Sequence, residues 1–214
     1  MSELLLFPKQ AGPPRDTRVR DDTPYWKFPD QGPAERNRDP LLLALVSAAP
    51  VVRIFEAFGG LGFITRILTE RFPEASIDSF DLDPECCRRY NALGLARAYC
   101  HQGDALEGLK GQDWPSGDWG ASLDYNKFTI LDLDRSEGKW KRELLFAVAE
   151  RRPAWVQLTD SAVCHLSLNW SRYGLADKTL PLYLEQLVVR LGRPWKLQAY
   201  AARRTHCYTL LTCC

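Results

Sequence analysis

The sequence has no long hydrophobic run and no clear excess of either charge. Its 214 residues include 28 Lys and Arg against 27 Asp and Glu, which gives a formal net charge of +1. A chain this close to neutral is not expected to bind polyanions without specificity. No segment is apolar over the roughly 20 residues that a membrane helix needs, and no secretory leader is recognised. We therefore expect a cytoplasmic protein without a membrane partner.

The seven cysteines lack the Cys-x-x-Cys spacing that is typical of metal sites. Cys86 and Cys87 are adjacent, and adjacent residues on a helix point in different directions. With 45% hydrophobic residues, the chain can bury a core without covalent crosslinks. The sequence therefore predicts no metal site, and buried thiols are favoured over disulfides.

Residues 1–40 differ in composition from the rest of the chain. They hold seven of the 14 prolines, many charged residues and few aliphatic residues after Phe7. Such a segment is extended unless it packs on a folded neighbour. We expect a proline-rich charged arm over residues 1–40 and a single folded domain over residues 41–214, beginning with a short apolar helix at residues 41–49.

A glycine-rich turn follows the first predicted strand. Residues 51–55 are mostly apolar, and they lead through Glu56 into Phe58-Gly59-Gly60-Leu61-Gly62 and a helical pattern that starts at Phe63. Glycine allows positive φ and close approach to a ligand, and a helix start offers free N–H groups. Such a turn can hold part of a nucleotide-like cofactor, but an ordinary strand-to-helix connection has the same pattern.

Acidic residues follow the next two predicted strands. Residues 75–80 run into Asp81 and Asp83, and residues 98–102 run into Asp104. In doubly wound folds, an acid roughly 20 residues beyond the glycines accepts hydrogen bonds from a ribose diol, so Asp81 is the ribose candidate. Asp83 precedes Pro84 and is predicted to cap the following helix. Three successive strands thus bring polar groups to one edge of a sheet.

The C-terminal region predicts an antiparallel pair of strands. Residues 195–200 and 207–212 are two strand-like runs, and the connector between them is too short for a crossover helix.

On these residues, positions 39–214 resemble the class I S-adenosylmethionine-dependent methyltransferases. The reversed last strand distinguishes that family from nicotinamide-dependent dehydrogenases. The resemblance implies an α/β fold with a Rossmann-like, mostly parallel seven-stranded sheet, an antiparallel last strand and helices on both faces. It also implies S-adenosylmethionine as the cofactor. The implied cofactor residues are Glu56, Phe58, Gly59, Gly60 and Gly62 at the methionine part, Asp81 at the ribose, Asp104 at the adenine, and the neighbours Leu82 and Ala105.

In this family the reacting centre follows the fourth strand, which we predict at residues 128–131. Amine-methylating members carry an Asp-Pro-Pro-Tyr motif there, which orients the target nitrogen. Asp132 and Asp134 are the implied acceptor residues of this chain. Only one of them can face the site because side chains alternate along a strand, and Asp134 is nearer the strand end. Methyl transfer depends mostly on positioning and electrostatics.

Aromatic and basic residues near the reacting centre predict a substrate surface. Trp170 and Tyr173 can stack on a flat base, and Arg172 can meet a phosphate. Arg135 is the fourth predicted substrate residue. Packing alone also explains most tryptophans, so a purely structural role stays open for Trp170.

The favoured function is N-methylation of a nucleic acid base, with RNA ahead of DNA. Residues 130–134 and 159–163 are similar to segments of the tRNA guanine-N2 dimethyltransferases, although Arg135 stands where that family has proline. A C5-cytosine methyltransferase is disfavoured because the chain has no Pro-Cys pair. Two alternatives stay open: a methyltransferase for a small metabolite, and a noncatalytic cofactor-binding protein that serves a partner.

Overall fold

The computed structural model describes residues 41–125, 139–160, 195–203 and 206–213. The strands are β1 Arg53–Ala57, β2 Ser76–Asp81, β3 Ala98–Gln102, β4 Trp119–Tyr125, β5 Trp155–Asp160, β6 Trp195–Arg203 and β7 His206–Cys213. The helices are α1 at residues 41–45, α2 Phe63–Arg71, α3 Pro84–Asn91, α4 Ala105–Gly111 and α5 Lys139–Glu150. The predicted arm at residues 1–40 lies outside the described residues.

The seven strands form one sheet in the order β3-β2-β1-β4-β5-β7-β6. Strands β1 to β5 pair in parallel, whereas β7 runs antiparallel to both β5 and β6. Only residues 204–205 connect β6 to β7, which is too short for a crossover. The predicted mostly parallel sheet with a reversed last strand is confirmed.

The two faces of the sheet are covered by different helices. On one face, α4 and α5 pack on a cluster that includes Phe55, Trp119 and Leu145. On the other face, α1 and α2 pack on a cluster that includes Ile54 and Trp155. Each fully buried large side chain contributes about 1.5–3 kcal/mol relative to exposure, so both layers are needed for stability. Helices on both faces are confirmed.

The fourth strand lies earlier in the chain than the sequence pattern indicated. Residues 119–125 occupy the place between β1 and β5, and the predicted residues 128–131 lie outside the described ones. Gly120 obscured this strand, because glycine weakens a strand unless something packs closely on it. Here the indole ring of Trp155 covers Gly120, and a Cβ added to Gly120 would lie 2.2 Å from a ring atom.

Helix α3 begins as predicted. The Asp83 carboxylate accepts a hydrogen bond from the Glu85 N–H at 2.8 Å, and Pro84 stands in the first turn. The sequence pattern predicts that this helix runs to Leu95, but it ends four residues earlier at Asn91, and Gly94 just beyond has φ of 61°. On α3 and β3, the cysteines Cys86, Cys87 and Cys100 are buried free thiols, as expected.

No helix in the described ranges is both long and apolar enough to cross a bilayer. No group of three or more His, Cys, Asp and Glu side chains in the same ranges could hold a metal ion.

Candidate functional site

Four neighbouring strands reach the same level at the C-terminal edge of the sheet. Ala57 pairs with Phe80 on one side and with Leu123 on the other, so the next residue of each segment lies at a common level. The residues at that level are Asp81 on β2, Phe58 after β1, Asp124 on β4 and Thr159 on β5. Ligands of doubly wound folds bind at this edge, beyond the carboxyl ends of the strands.

The glycine turn has a left-handed backbone at three positions. Phe58 has φ of 65°, Gly60 of 52° and Gly62 of 73°. A left-handed conformation costs roughly 1–2 kcal/mol for a residue with a side chain, and such strain persists only where the surroundings impose it. The N–H of Phe58 donates to the Phe80 carbonyl at 2.9 Å, which ties the strained residue to β2. Hydrogen bonding to β2 therefore holds the turn in this strained conformation.

The turn leads directly into α2. The N–H of Gly62 donates to the Gly59 carbonyl at 2.8 Å, and Gly62 stands at the N-cap position. A Cβ on Gly62 would lie 2.7 Å from Leu93, in addition to the strain of its positive φ. Glycine is favoured there mainly by the positive φ, because the Leu93 side chain can shift away from a Cβ.

Asp81 lies against the glycine turn, and ribose binding by this acid stays a prediction. Its carboxylate accepts hydrogen bonds from the N–H of Gly60 at 3.2 Å and from the N–H of Asp83 at 2.9 Å. Partial burial raises the pKa of Asp81 above its ordinary value. The next side chain, Leu82, is 68% exposed and offers apolar surface beside this acid. The predicted juxtaposition of turn and acid is present.

Glu56 lies beneath the turn and is 1% exposed. The Thr65 hydroxyl lies 3.0 and 2.8 Å from its two carboxylate oxygens, and the Tyr90 hydroxyl donates to one of them at 3.2 Å. The pKa of Glu56 is raised to about 7. Burial causes this rise, and the neighbouring hydroxyl groups reduce it in part. Its predicted contact with a cofactor stays a prediction, because its observed partners are two hydroxyls of the protein.

Asp104 caps α4. Its carboxylate accepts hydrogen bonds from the N–H groups of Leu106 at 2.8 Å and Glu107 at 3.1 Å. Its predicted neighbour Ala105 is 4% exposed and packs into the core. The sequence pattern did not indicate this capping role. An adenine contact through the same carboxylate stays a prediction.

Comparison with known proteins identifies the fold. No protein-family model matches the sequence, and no curated protein matches it. Solved structures do match. An O-methyltransferase of neocarzinostatin biosynthesis, solved with S-adenosylmethionine and a naphthoic acid, is 16% identical with a TM-score of 0.52 over 92% of this chain and 63% of that one.

Two further solved structures are similar to this chain in fold. A putative O-methyltransferase from Klebsiella pneumoniae is 14% identical, with a TM-score of 0.57 over 86% of this chain and 83% of that one. TrmN from Thermus thermophilus is 17% identical, with a TM-score of 0.54 over 83% of this chain and 48% of that one. The chain has the fold of the class I S-adenosylmethionine-dependent methyltransferases. This chain spans less than two thirds of the neocarzinostatin enzyme and of TrmN.

In this methyltransferase fold, the observed fourth strand changes which acid stands at its end. Asp124, partly buried, follows Leu123 at the C-terminal end of β4 and pairs in register with Thr159 of β5. Sequence reasoning missed it because strand four was placed too late. An apolar run that closes on an acid at residues 119–124 was the available signal.

The remaining predicted site residues lie outside the described ones. They are the acceptor residues Asp132 and Asp134 and the substrate residues Arg135, Trp170, Arg172 and Tyr173.

Proposed function

We propose that this chain is an S-adenosylmethionine-dependent methyltransferase that methylates a nitrogen of a nucleic acid base, with RNA favoured over DNA. The observation that carries the proposal is the common level of the glycine turn, Asp81 and Asp124 at the C-terminal edge of the sheet. This arrangement brings a donor-binding turn and an acceptor-orienting carboxylate to adjacent strands.

The donor side fits S-adenosylmethionine. Asp81 supplies carboxylate oxygens for ribose hydroxyls beside the turn, and the exposed side chain of Leu82 supplies an apolar surface for a flat ring. Gly59 lets the turn pack closely on β2, because a Cβ there would lie 2.0 Å from the Ser79 hydroxyl oxygen. Asp104 remains the proposed partner of the adenine amine.

The acceptor side is proposed at the end of β4. The donor, when bound, supplies a methyl group on a positively charged sulfur, so the protein has mainly to hold a nitrogen lone pair in line with it. Asp124 can accept a hydrogen bond from an amine in that position and so orient it. Asp134 and Asp132 remain candidates for the same role, and Arg135, Trp170, Arg172 and Tyr173 remain the proposed nucleic acid contacts.

Two other functions share the donor site. The neocarzinostatin enzyme, solved with a naphthoic acid, favours a small aromatic substrate as the second candidate. A noncatalytic cofactor-binding protein is the third.

Donor binding and methyl transfer together test the proposal. We expect calorimetry to detect S-adenosylmethionine binding, and we expect label from its methyl group to enter bulk RNA in preference to DNA or a metabolite pool. Asp124→Ala should lower transfer at least tenfold while donor affinity stays near that of the parent protein, since positioning of the acceptor is lost.

The controls separate the candidates. Asp118→Ala removes an exposed carboxylate that precedes β4 and should transfer at the parent rate. Loss of transfer in Asp134→Ala, with full transfer in Asp124→Ala, would assign the acceptor role to Asp134. Donor binding without transfer to any pool would favour the noncatalytic protein, and absence of donor binding would refute the whole proposal.

A further inference from the structure

A buried carboxyl group supports the glycine turn from below. Glu56 accepts hydrogen bonds from hydroxyl groups of two other elements, Thr65 on α2 and Tyr90 on α3. These partners are 1% exposed or less. A Cβ added to Gly59 would lie 2.9 Å from a Glu56 carboxylate oxygen, so this carboxyl lies directly against the backbone of the turn.

The groups around Glu56 are uncharged or negative. Among the described residues, the titratable groups that interact with it are Asp81 from β2, Tyr90 from α3 and Cys100 from β3. Burial raises the pKa of the Tyr90 hydroxyl and of the Cys100 thiol, so both stay neutral near pH 7. Thr65 on α2 donates its hydroxyl to Glu56, and Ser122 is the register neighbour of Glu56 on β4; neither side chain titrates.

A buried carboxylate without a cationic partner attracts positive charge across a short, dry distance. S-adenosylmethionine carries a sulfonium, whereas the product left after methyl transfer carries an uncharged thioether. The two ligands are otherwise the same, so a charge beneath the turn acts on the difference between them.

We propose that Glu56 is a positioning residue that acts through the glycine turn and makes the site prefer the cationic donor over its uncharged product. This inference rests on the proposed function and deepens it. Ionised Glu56 strengthens donor binding relative to product binding, and protonated Glu56 removes that preference. Because Glu56 titrates near neutral pH, the preference rises with pH in that range.

The test is the ratio of two dissociation constants, that of S-adenosylhomocysteine divided by that of S-adenosylmethionine, measured by calorimetry between pH 6 and pH 8. For the parent protein we expect the ratio to rise roughly tenfold, the size of effect that a partly screened charge pair produces. Calorimetry in buffers of different ionisation enthalpy should also show more proton release with the donor than with the product.

Variants assign the effect to one carboxyl. In Glu56→Gln, the ratio of dissociation constants should lack the pH-dependent rise caused by Glu56. Subtracting the pH profile of this variant from that of the parent removes the contribution of titrating groups on the ligands themselves. Tyr90→Phe removes a hydrogen bond that favours the ionised form, so the transition should move to higher pH. Glu74→Gln, whose parent side chain is 86% exposed, should reproduce the parent profile.

The possible results distinguish failure of this inference from failure of the proposed function. A pH-independent ratio in the parent protein, with donor bound at every pH, overturns this inference and leaves the proposed function intact. A parent-like rise in Glu56→Gln overturns it as well. If Glu56→Gln fails to fold, an unmoved transition in Tyr90→Phe overturns the inference. Absence of donor binding at every pH overturns the proposed function itself.

Discussion

At the residue scale, Glu56 makes the stability of the protein depend on pH. The folded state holds its proton more tightly than the unfolded chain, because the pKa is raised from 4.5 to about 7. The associated stability is fully present below about pH 4.5 and is lost as pH rises through about 7.

Denaturant unfolding of the parent protein and of Glu56→Gln checks this prediction. Between pH 4.5 and pH 8 the parent should lose about 3 kcal/mol of unfolding free energy relative to the variant. The exposed-site variant Glu74→Gln should follow the parent. Parallel pH profiles for the parent and Glu56→Gln would show that the Glu56 pKa is close to that of a free side chain.

Two acids at the junction of β2 and α3 also have different hydrogen-bond partners. Asp81 faces the glycine turn through the Gly60 N–H, whereas Asp83 caps α3 through the Glu85 N–H. We therefore expect Asp81 to bind the donor and Asp83 to stabilise the helix.

At the element scale, this division gives a paired prediction. Asp83→Ala should lower the unfolding free energy by about 1 kcal/mol, the usual cost of losing an N-cap, and should leave donor affinity within about twofold. Asp81→Ala should lower donor affinity at least tenfold. Urea unfolding and calorimetry on both variants check this.

Asp83→Asn, which keeps a capping oxygen, is the matched control and should recover most of the lost stability. A large affinity loss in Asp83→Ala with none in Asp81→Ala would reverse the two assignments.

Elements whose limits depend on neighbouring residues were predicted well. The start of α3 at Pro84, the extent of β3 at residues 98–102 and the β6–β7 pair agree with the structure. Capping chemistry, strand-length apolar runs and short connectors act over a few residues, so they can be recognised in the sequence. The position of β4 was wrong because its Gly120 is compensated by Trp155, a residue distant in the chain.

At the scale of the whole molecule, the proposed donor site lies where β1, β2 and β4 end, so donor binding and folding should be thermodynamically linked. A ligand that binds only the folded state stabilises it by about 2.7 kcal/mol at a concentration of 100 times its dissociation constant. For a chain of 214 residues, this corresponds to a rise in melting temperature of roughly 5–10 °C.

Thermal unfolding with and without S-adenosylmethionine measures this rise. Asp81→Ala, at the same donor concentration, should show a smaller one. An unchanged melting temperature at saturating donor would mean that the site described for Asp81 and the turn does not bind it.

The sequence by itself determined the glycine turn, the acid at the end of the second strand and the reversed last strand. These follow from backbone freedom at glycine, strand periodicity and a connector too short for a helix, all of which are local. Only the tertiary structure decided that Glu56 is buried beneath the turn and that Asp124 ends the fourth strand. Burial and strand register depend on which distant segments pack together, and no local pattern of residues specifies that.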